Sequence, residues 1–260
     1  MIVRETDQAF YMIKQHDHAH LSGQLASGLS TALLADDERQ EEVLLAVYEH
    51  DRSHIRLDDT PVWNDRTKAP FSFSDYPLLP KLTHYKTGLD EIEAQSRYAG
   101  LLCSLHYASF FPDPNHPECI AFVQYEQERQ ERIIFDLQLT DWEAINKHFL
   151  LLQLCDDLSL YVCLNEPGAA KEREHPWYRD GIKGSELFNE QAGELLTARW
   201  LNEREIVLTP FPFKQSIQAV LKAKNVMKSL IYELGIEEAY RKTEMAVQEV
   251  VFCGPGGRKS

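Results

Sequence analysis

The sequence predicts a mainly α protein: a helical bundle with a small accessory β-sheet formed by its N- and C-terminal segments. Three observations lead there. Apolar side chains recur at intervals of three and four through most of residues 15–165, the period of a helix face. Short strand-like runs bracket turn-forming residues near both ends. A chain of 260 residues that is 43% hydrophobic and 26% charged has a globular composition and the length for a substantial core. One domain is expected, with a helical core over about 15–165 and an α+β portion over about 184–253 that packs with strands inside 2–13.

In chain order, Ile2–Glu5 and Ala9–Ile13 flank the turn-like Thr6-Asp7-Gln8 and predict a hairpin. Asp17 is placed to cap a first helix, with His18, Leu21, Leu25 and Leu29 on one face, His16 before the cap and His20 toward solvent. A second helix, about 37–55, opens on Asp36-Asp37-Glu38 and aligns Val43, Ala46, Val47, His50 and His54. An imidazole and the adjacent Asp51 carboxylate therefore fall where the stripe calls for hydrocarbon. Residues 57–82, rich in proline and aromatic rings, predict a long ordered loop, either a lid or pocket wall or a packed connection.

A third helix over 89–110 puts Ala99, Leu102, His106 and Phe110 on one face. Pro117 opens a fourth, whose charge-alternating run 126–132 predicts a solvated outer face. Thr140 and Glu143 suggest a capping box for a fifth, with Ile145, Phe149, Leu152, Asp156, Leu160 and Cys163 along one stripe. Nearly every neighbour there is apolar, so Asp157 also stays open as an inward group. A polar linker over 169–183 precedes a second hairpin, 195–200 with 205–208. An amphipathic helix over 216–234 carrying Lys222, Lys224 and Lys228, and a last strand, Ala246–Cys253, complete the reading. The terminal strands are expected to form a small sheet against the helices or a homodimer surface.

A formal charge of −14 and a pI near 5.2 argue against a nucleic-acid backbone or an anionic membrane surface as partner, because no basic excess exists to release counterions. A small phosphorylated molecule in a local basic pocket stays compatible with that sum. The five cysteines are dispersed and form no C-x-x-C pair, which predicts reduced, packed thiols of a cytoplasmic protein. The N-terminus carries charge where a secretory signal would be apolar, and no stretch approaches the roughly 18 apolar residues of a membrane span.

Four separate helices thus each carry an ionisable group on an apolar stripe: His18, His50 with Asp51, His106, and Asp156. A single inward His or Asp is ordinarily satisfied by a carbonyl, a cap or an ion pair. Five converging groups would each need a separate partner, whereas one divalent cation satisfies them together. Imidazole and carboxylate suit Mn, Fe, Ni or Zn.

The order His18, His50-Asp51 and then Asp156 within Cys155-Asp156-Asp157-Leu158-Ser159-Leu160 resembles the signature of the HD-domain superfamily, all-helical metal-dependent phosphohydrolases. That resemblance covers about 15–165. Through Gln15-His16-Asp17-His18-Ala19-His20-Leu21-Ser22-Gly23, Glu49-His50-Asp51, Ser104-Leu105-His106 and Pro210-Phe211-Pro212-Phe213, most of the chain is also similar to an uncharacterised bacterial family with an HD-like core. The resemblance implies an HD-like bundle holding one or two ions on His18, His50, Asp51 and Asp156, with His106, or His84 in the loop, as further ligands of two-metal members. It implies hydrolysis of a phosphate ester or nucleotide, in which Asp51 or an outer residue orients the attacking hydroxide; Arg52, next to the ligands in sequence, is placed to meet a phosphate. No downstream basic residue stands out as the phosphate contact that phosphohydrolase members carry. Two other readings stand beside it: a di-iron oxygenase on the same kind of core, and a non-catalytic sensing or scaffold protein with a structural polar cluster.

Overall fold

A computed structural model of the chain describes residues 1–29, 38–188 and 194–256. Strands β1 (Ile2–Glu5) and β2 (Ala9–Ile13) form the N-terminal hairpin, with Ile2 opposite Ile13 and Glu5 opposite Phe10. Helix α1 (Gln15–Gly28) follows at once, so His16 and Asp17 lie in its first turn rather than at or before its cap. A distant carboxylate does the capping: the Gln15 N–H donates to Asp58 Oδ2 (2.6 Å), and Asp58 also pairs with the Met1 ammonium.

The single helix expected over 37–55 is instead α2 (Gln40–Glu49) followed by a 3₁₀ turn, Arg52–His54; residues 36 and 37 lie outside the described residues. The helix stops at the His50-Asp51 pair, where Asp51 leaves helical geometry (φ −104°, ψ 18°). Inside the expected loop, β3 (Trp63–Asn64) pairs with β4 (Ala69–Pro70), and α3 (Leu78–Gln95) begins before the loop was expected to end. The helix expected over 89–110 is two helices, α3 and α4 (Arg97–Ser109). Ser96 separates them: it is extended (φ −150°), and its Oγ accepts the Ala99 N–H (3.1 Å).

Helix α5 (Pro117–Asp136) is not simply a solvated charged helix, because Glu126 and Arg129 are buried against α3 and α4. Arg129 Nε donates to Glu126 Oε2 (2.9 Å), Ser104 donates to the same oxygen (2.8 Å), and Arg129 also pairs with Asp90 and Glu93. The fifth expected helix is α6 (Trp142–Leu164), capped by Asp141, whose Oδ1 accepts the Ala144 N–H (3.0 Å), rather than by Thr140.

The C-terminal part holds β5 (Thr197–Trp200), β6 (Glu205–Thr209), β7 (Ile217–Met227), α7 (Lys228–Leu234), α8 (Ile236–Lys242) and β8 (Ala246–Cys253). The expectation of a mainly α protein with a small accessory sheet is overturned by this region. The chain is 51% helical and carries a six-stranded mixed sheet, ordered β1-β2-β7-β8-β6-β5, beside the short β3-β4 pair, which makes an α/β fold. All neighbours in the large sheet are antiparallel except β6 and β8. The physical reason is β7. Ala219, Leu221 and Ala223 are buried while Gln218, Val220 and Lys222 are exposed, the two-residue alternation of a strand. Alanine and lysine favour helix locally, and tertiary pairing with β2 and β8 overrides that preference.

Helix α1 packs on β7 and also against α2 and α6, while α4 packs against α2 and α6. These four helices surround the inward polar groups. The 3₁₀ turn is held from behind by α3, where Gly88 comes so close that an added Cβ would lie 2.5 Å from Ser53 Cα. Among the described residues, no helix is long and apolar enough to cross a membrane.

Candidate metal centre

His18 from α1, His50 and Asp51 from the end of α2, His106 from α4 and Asp156 from α6 meet at one point. Each helix brings its polar group inward because that group takes a place on the buried stripe, so the packing that forms the core also assembles the cluster. His18 Nε2 lies 2.8 Å from Asp156 Oδ1 and 3.7 Å from Asp51 Oδ2. His50 Nε2 lies 3.4 Å from Asp156 Oδ1, 3.4 Å from His18 Nε2 and 3.8 Å from Asp51 Oδ2. His106 Nε2 stands 3.5 Å from Asp156 Oδ2.

The outer nitrogens fix which lone pairs face the centre. His50 Nδ1 donates to the Val47 carbonyl (2.7 Å), which leaves Nε2 as an acceptor. Ser159 donates to the Asp156 carbonyl (3.0 Å), so its oxygen accepts from His18 Nδ1, and His18 Nε2 is likewise an acceptor. Two imidazole lone pairs and a carboxylate then confront one another within 3.4 Å. Such a cluster needs a positive charge between its members, either a proton or a cation.

Electrostatics describes the proton's case. Burial works against an imidazolium at His50, but the Asp51 and Asp156 carboxylates outweigh it and lift the pKa to about 9. Burial likewise opposes charge on Asp51 and Asp156, yet the surrounding histidines hold both below the usual carboxylate range. Burial pushes His106 down to about 4, so it is neutral near pH 7 and offers a free lone pair. Burial and the charge of Asp156 raise Asp157 to about 7; it accepts from the Tyr178 hydroxyl (3.3 Å).

The donor set also fits a cation. Ligands at about 2.0–2.2 Å from a shared ion stand roughly 2.9–3.6 Å apart in octahedral or tetrahedral arrangements. The His–His and His–carboxylate contacts of the cluster lie at 2.8 to 3.8 Å, and the ligand atoms within each three-residue group lie within 4.8 Å of one another. Two donor groups emerge, His18-His50-Asp51 and His50-His106-Asp156, both containing His50.

The cluster opens into a cavity of 490 Å³. Three buried polar atoms on its lining residues have no partner among the described residues: Gln15 Oε1, His54 Nε2 and His106 Nδ1.

Two expected residues lie elsewhere. Arg52 turns away from the cavity and pairs with Glu49 (3.0 Å) and Glu91 (2.9 Å), so it does not stand beside the cluster as a phosphate contact. His84 sits on α3 and lines the same outer pocket as Arg52, not the loop beside the cluster. The 3₁₀ turn that begins at Arg52 carries that side chain away from the inward His50 and Asp51.

Other residues become visible only in the fold. His54 Nδ1 lies 3.2 Å from Asp51 Oδ1, and the Tyr107 hydroxyl donates to the same oxygen (3.4 Å), so one Asp51 oxygen is held from behind while the other faces the cluster. Periodicity puts His54 on the inward stripe without giving it this role. Lys81 lines the cavity, a position hidden by reading its segment as loop.

A family model described as "Protein of unknown function (DUF3891)" matches residues 1–228. No curated protein and no solved structure matches the chain.

Proposed function

We infer the chemistry of this chain, which belongs to the DUF3891 family of unknown function, from the site itself. We propose a metal-dependent hydrolase of a phosphate ester or nucleotide, with a divalent ion held by His18, His50, Asp51, His106 and Asp156. The observation that carries this reading is the pair of imidazole nitrogens, His18 Nε2 and His50 Nε2, facing each other at 3.4 Å across the Asp156 carboxylate. A shared His50 in both donor groups favours one ion over a di-iron centre.

A divalent ion supplies Lewis acidity there, lowering the pKa of water toward neutrality and polarising a phosphoryl oxygen. The chain's own residues do the rest. The Val47 carbonyl and Ser159 hold the two histidine tautomers, and His54 with Tyr107 fixes the Asp51 carboxylate so that its other oxygen faces the place of the ion. Asp157, whose carboxyl is pushed by burial above the usual carboxylate range, lines the same cavity and would pass a proton to a departing alkoxide oxygen. The five buried cysteines, reduced as thiols, support the reducing cytoplasm as location. The acidic surface agrees with a small-molecule partner rather than nucleic acid or membrane.

The test is turnover of a panel of phosphomonoesters and nucleotides by protein loaded with Mn, Fe, Ni or Zn. The reading expects hydrolysis that needs the metal and is lost in Asp156→Asn. Fully loaded protein that hydrolyses none of them contradicts it.

A further inference from the structure

Lys81 is the one lysine or arginine lining the 490 Å³ cavity among the described residues. It is half-buried and makes no ion pair there; its Nζ donates to the Phe73 carbonyl (2.9 Å). The same lining holds three carboxylates, Asp51, Asp156 and Asp157. A divalent ion would balance Asp51 and Asp156, and with Asp157 carrying a proton the Lys81 ammonium leaves the lining net positive. Lys81 is thus the charge that lets an anion enter.

The cavity wall beside it is aromatic. Phe73 meets Trp177 edge to face, with centroids 6.5 Å apart and planes at 75°, and Phe110 lines the same space. Phe73 is pinned at both backbone groups: its N–H donates to the Met1 carbonyl (2.8 Å) and its carbonyl takes the Lys81 ammonium. Trp177 stays 52% exposed, a large ring left open at a cavity edge rather than packed into the core. A fixed ring paired with an open one suits a flat, apolar guest.

We propose that this cavity selects a phosphomonoester of an aromatic or heterocyclic alcohol, with Lys81 meeting its negative charge and the Phe73–Trp177 pair meeting its ring. The inference rests on the metal-dependent hydrolase reading and adds the substrate class to it. Lys81 and the two rings act on binding, so they are specificity residues.

Calorimetric titration of metal-loaded protein with phenylphosphonate, which resists hydrolysis, tests it, with methylphosphonate lacking the ring and benzyl alcohol lacking the charge as controls. Metal content is measured on every sample. Phenylphosphonate should bind about tenfold tighter than methylphosphonate, and benzyl alcohol weakest. Lys81→Met should weaken phenylphosphonate about tenfold with metal content unchanged, and Lys81→Arg should keep most of the affinity. Trp177→Leu should narrow the gap between the two phosphonates without touching the metal. Equal binding of the two phosphonates by loaded protein, or a Lys81→Met protein that binds like the wild type, overturns the substrate class and leaves the hydrolase reading standing. Protein that takes up no metal removes the hydrolase reading, and the substrate class with it.

Discussion

At the residue scale, His50 is the hinge between the empty and the loaded cluster. Without metal its imidazolium is stabilised by Asp51 and Asp156, and its pKa stands at about 9 against 6.5 in an unfolded chain. A raised folded pKa gives stability that is fully present below pH 6.5 and is lost as pH rises through 9. Chelator-treated protein is therefore expected to lose about 3 kcal/mol of unfolding free energy between pH 6.5 and pH 9.5, read by denaturant titration. His50→Gln should flatten most of that slope; an equal slope in the variant would mean the charge sits elsewhere. Asp157→Asn is expected to lower kcat by about ten- to a hundredfold while leaving metal content intact, as suits a proton carrier that is not a ligand. Much of this site is legible in the sequence, because His18, His50, His106 and Asp156 interrupt apolar stripes at helical spacing. Lys81 and the Asp51-His54-Tyr107 contacts are not, since they join side chains from segments whose relative placement no local period encodes.

At the scale of elements, the cluster depends on how the turn after α2 is held. Gly88→Ala would drive a methyl into the Ser53 backbone, between Asp51 and His54. We expect a loss of about 1–3 kcal/mol in stability together with weaker metal binding; a variant with wild-type Tm and metal affinity would show the turn to be free to move. Asp58→Ala removes the acceptor for the Gln15 N–H at the start of α1 and the partner of the Met1 ammonium. It should cost about 2–4 kcal/mol by thermal or denaturant unfolding, and a cost near zero would mean solvent replaces it. Long periodic helices are the elements that sequence defines best, as α5 and α6 demonstrate. Their ends are less legible. Ser96 splits one expected helix into α3 and α4 through a single capping hydroxyl, and α1 is capped by an aspartate 43 residues away.

At the scale of the whole molecule, β7 decides the architecture. It pairs with β2 on one side and β8 on the other, so it joins the first residues of the chain to the last strand. Its alternating Ala219, Leu221 and Ala223 are small or helix-favouring, and the residues that make it a strand lie more than 210 positions earlier or some 30 later. That is why a sequence reading of helix over 216–234 yields a mainly α protein and the fold is α/β. What survives is the grouping of α1, α2, α4 and α6 around the polar cluster, which stands on the sheet through α1 and β7. The account as a whole rests on that cluster holding an ion. The direct measurement is elemental analysis of the purified protein, with metal-to-chain stoichiometry, for wild type and a folded Asp51→Ala variant. The account predicts close to one Mn, Fe, Ni or Zn per wild-type chain and a marked loss in the variant. Wild-type protein that holds no metal, and takes up none when each of the four is added, would contradict it and leave the histidines a structural role.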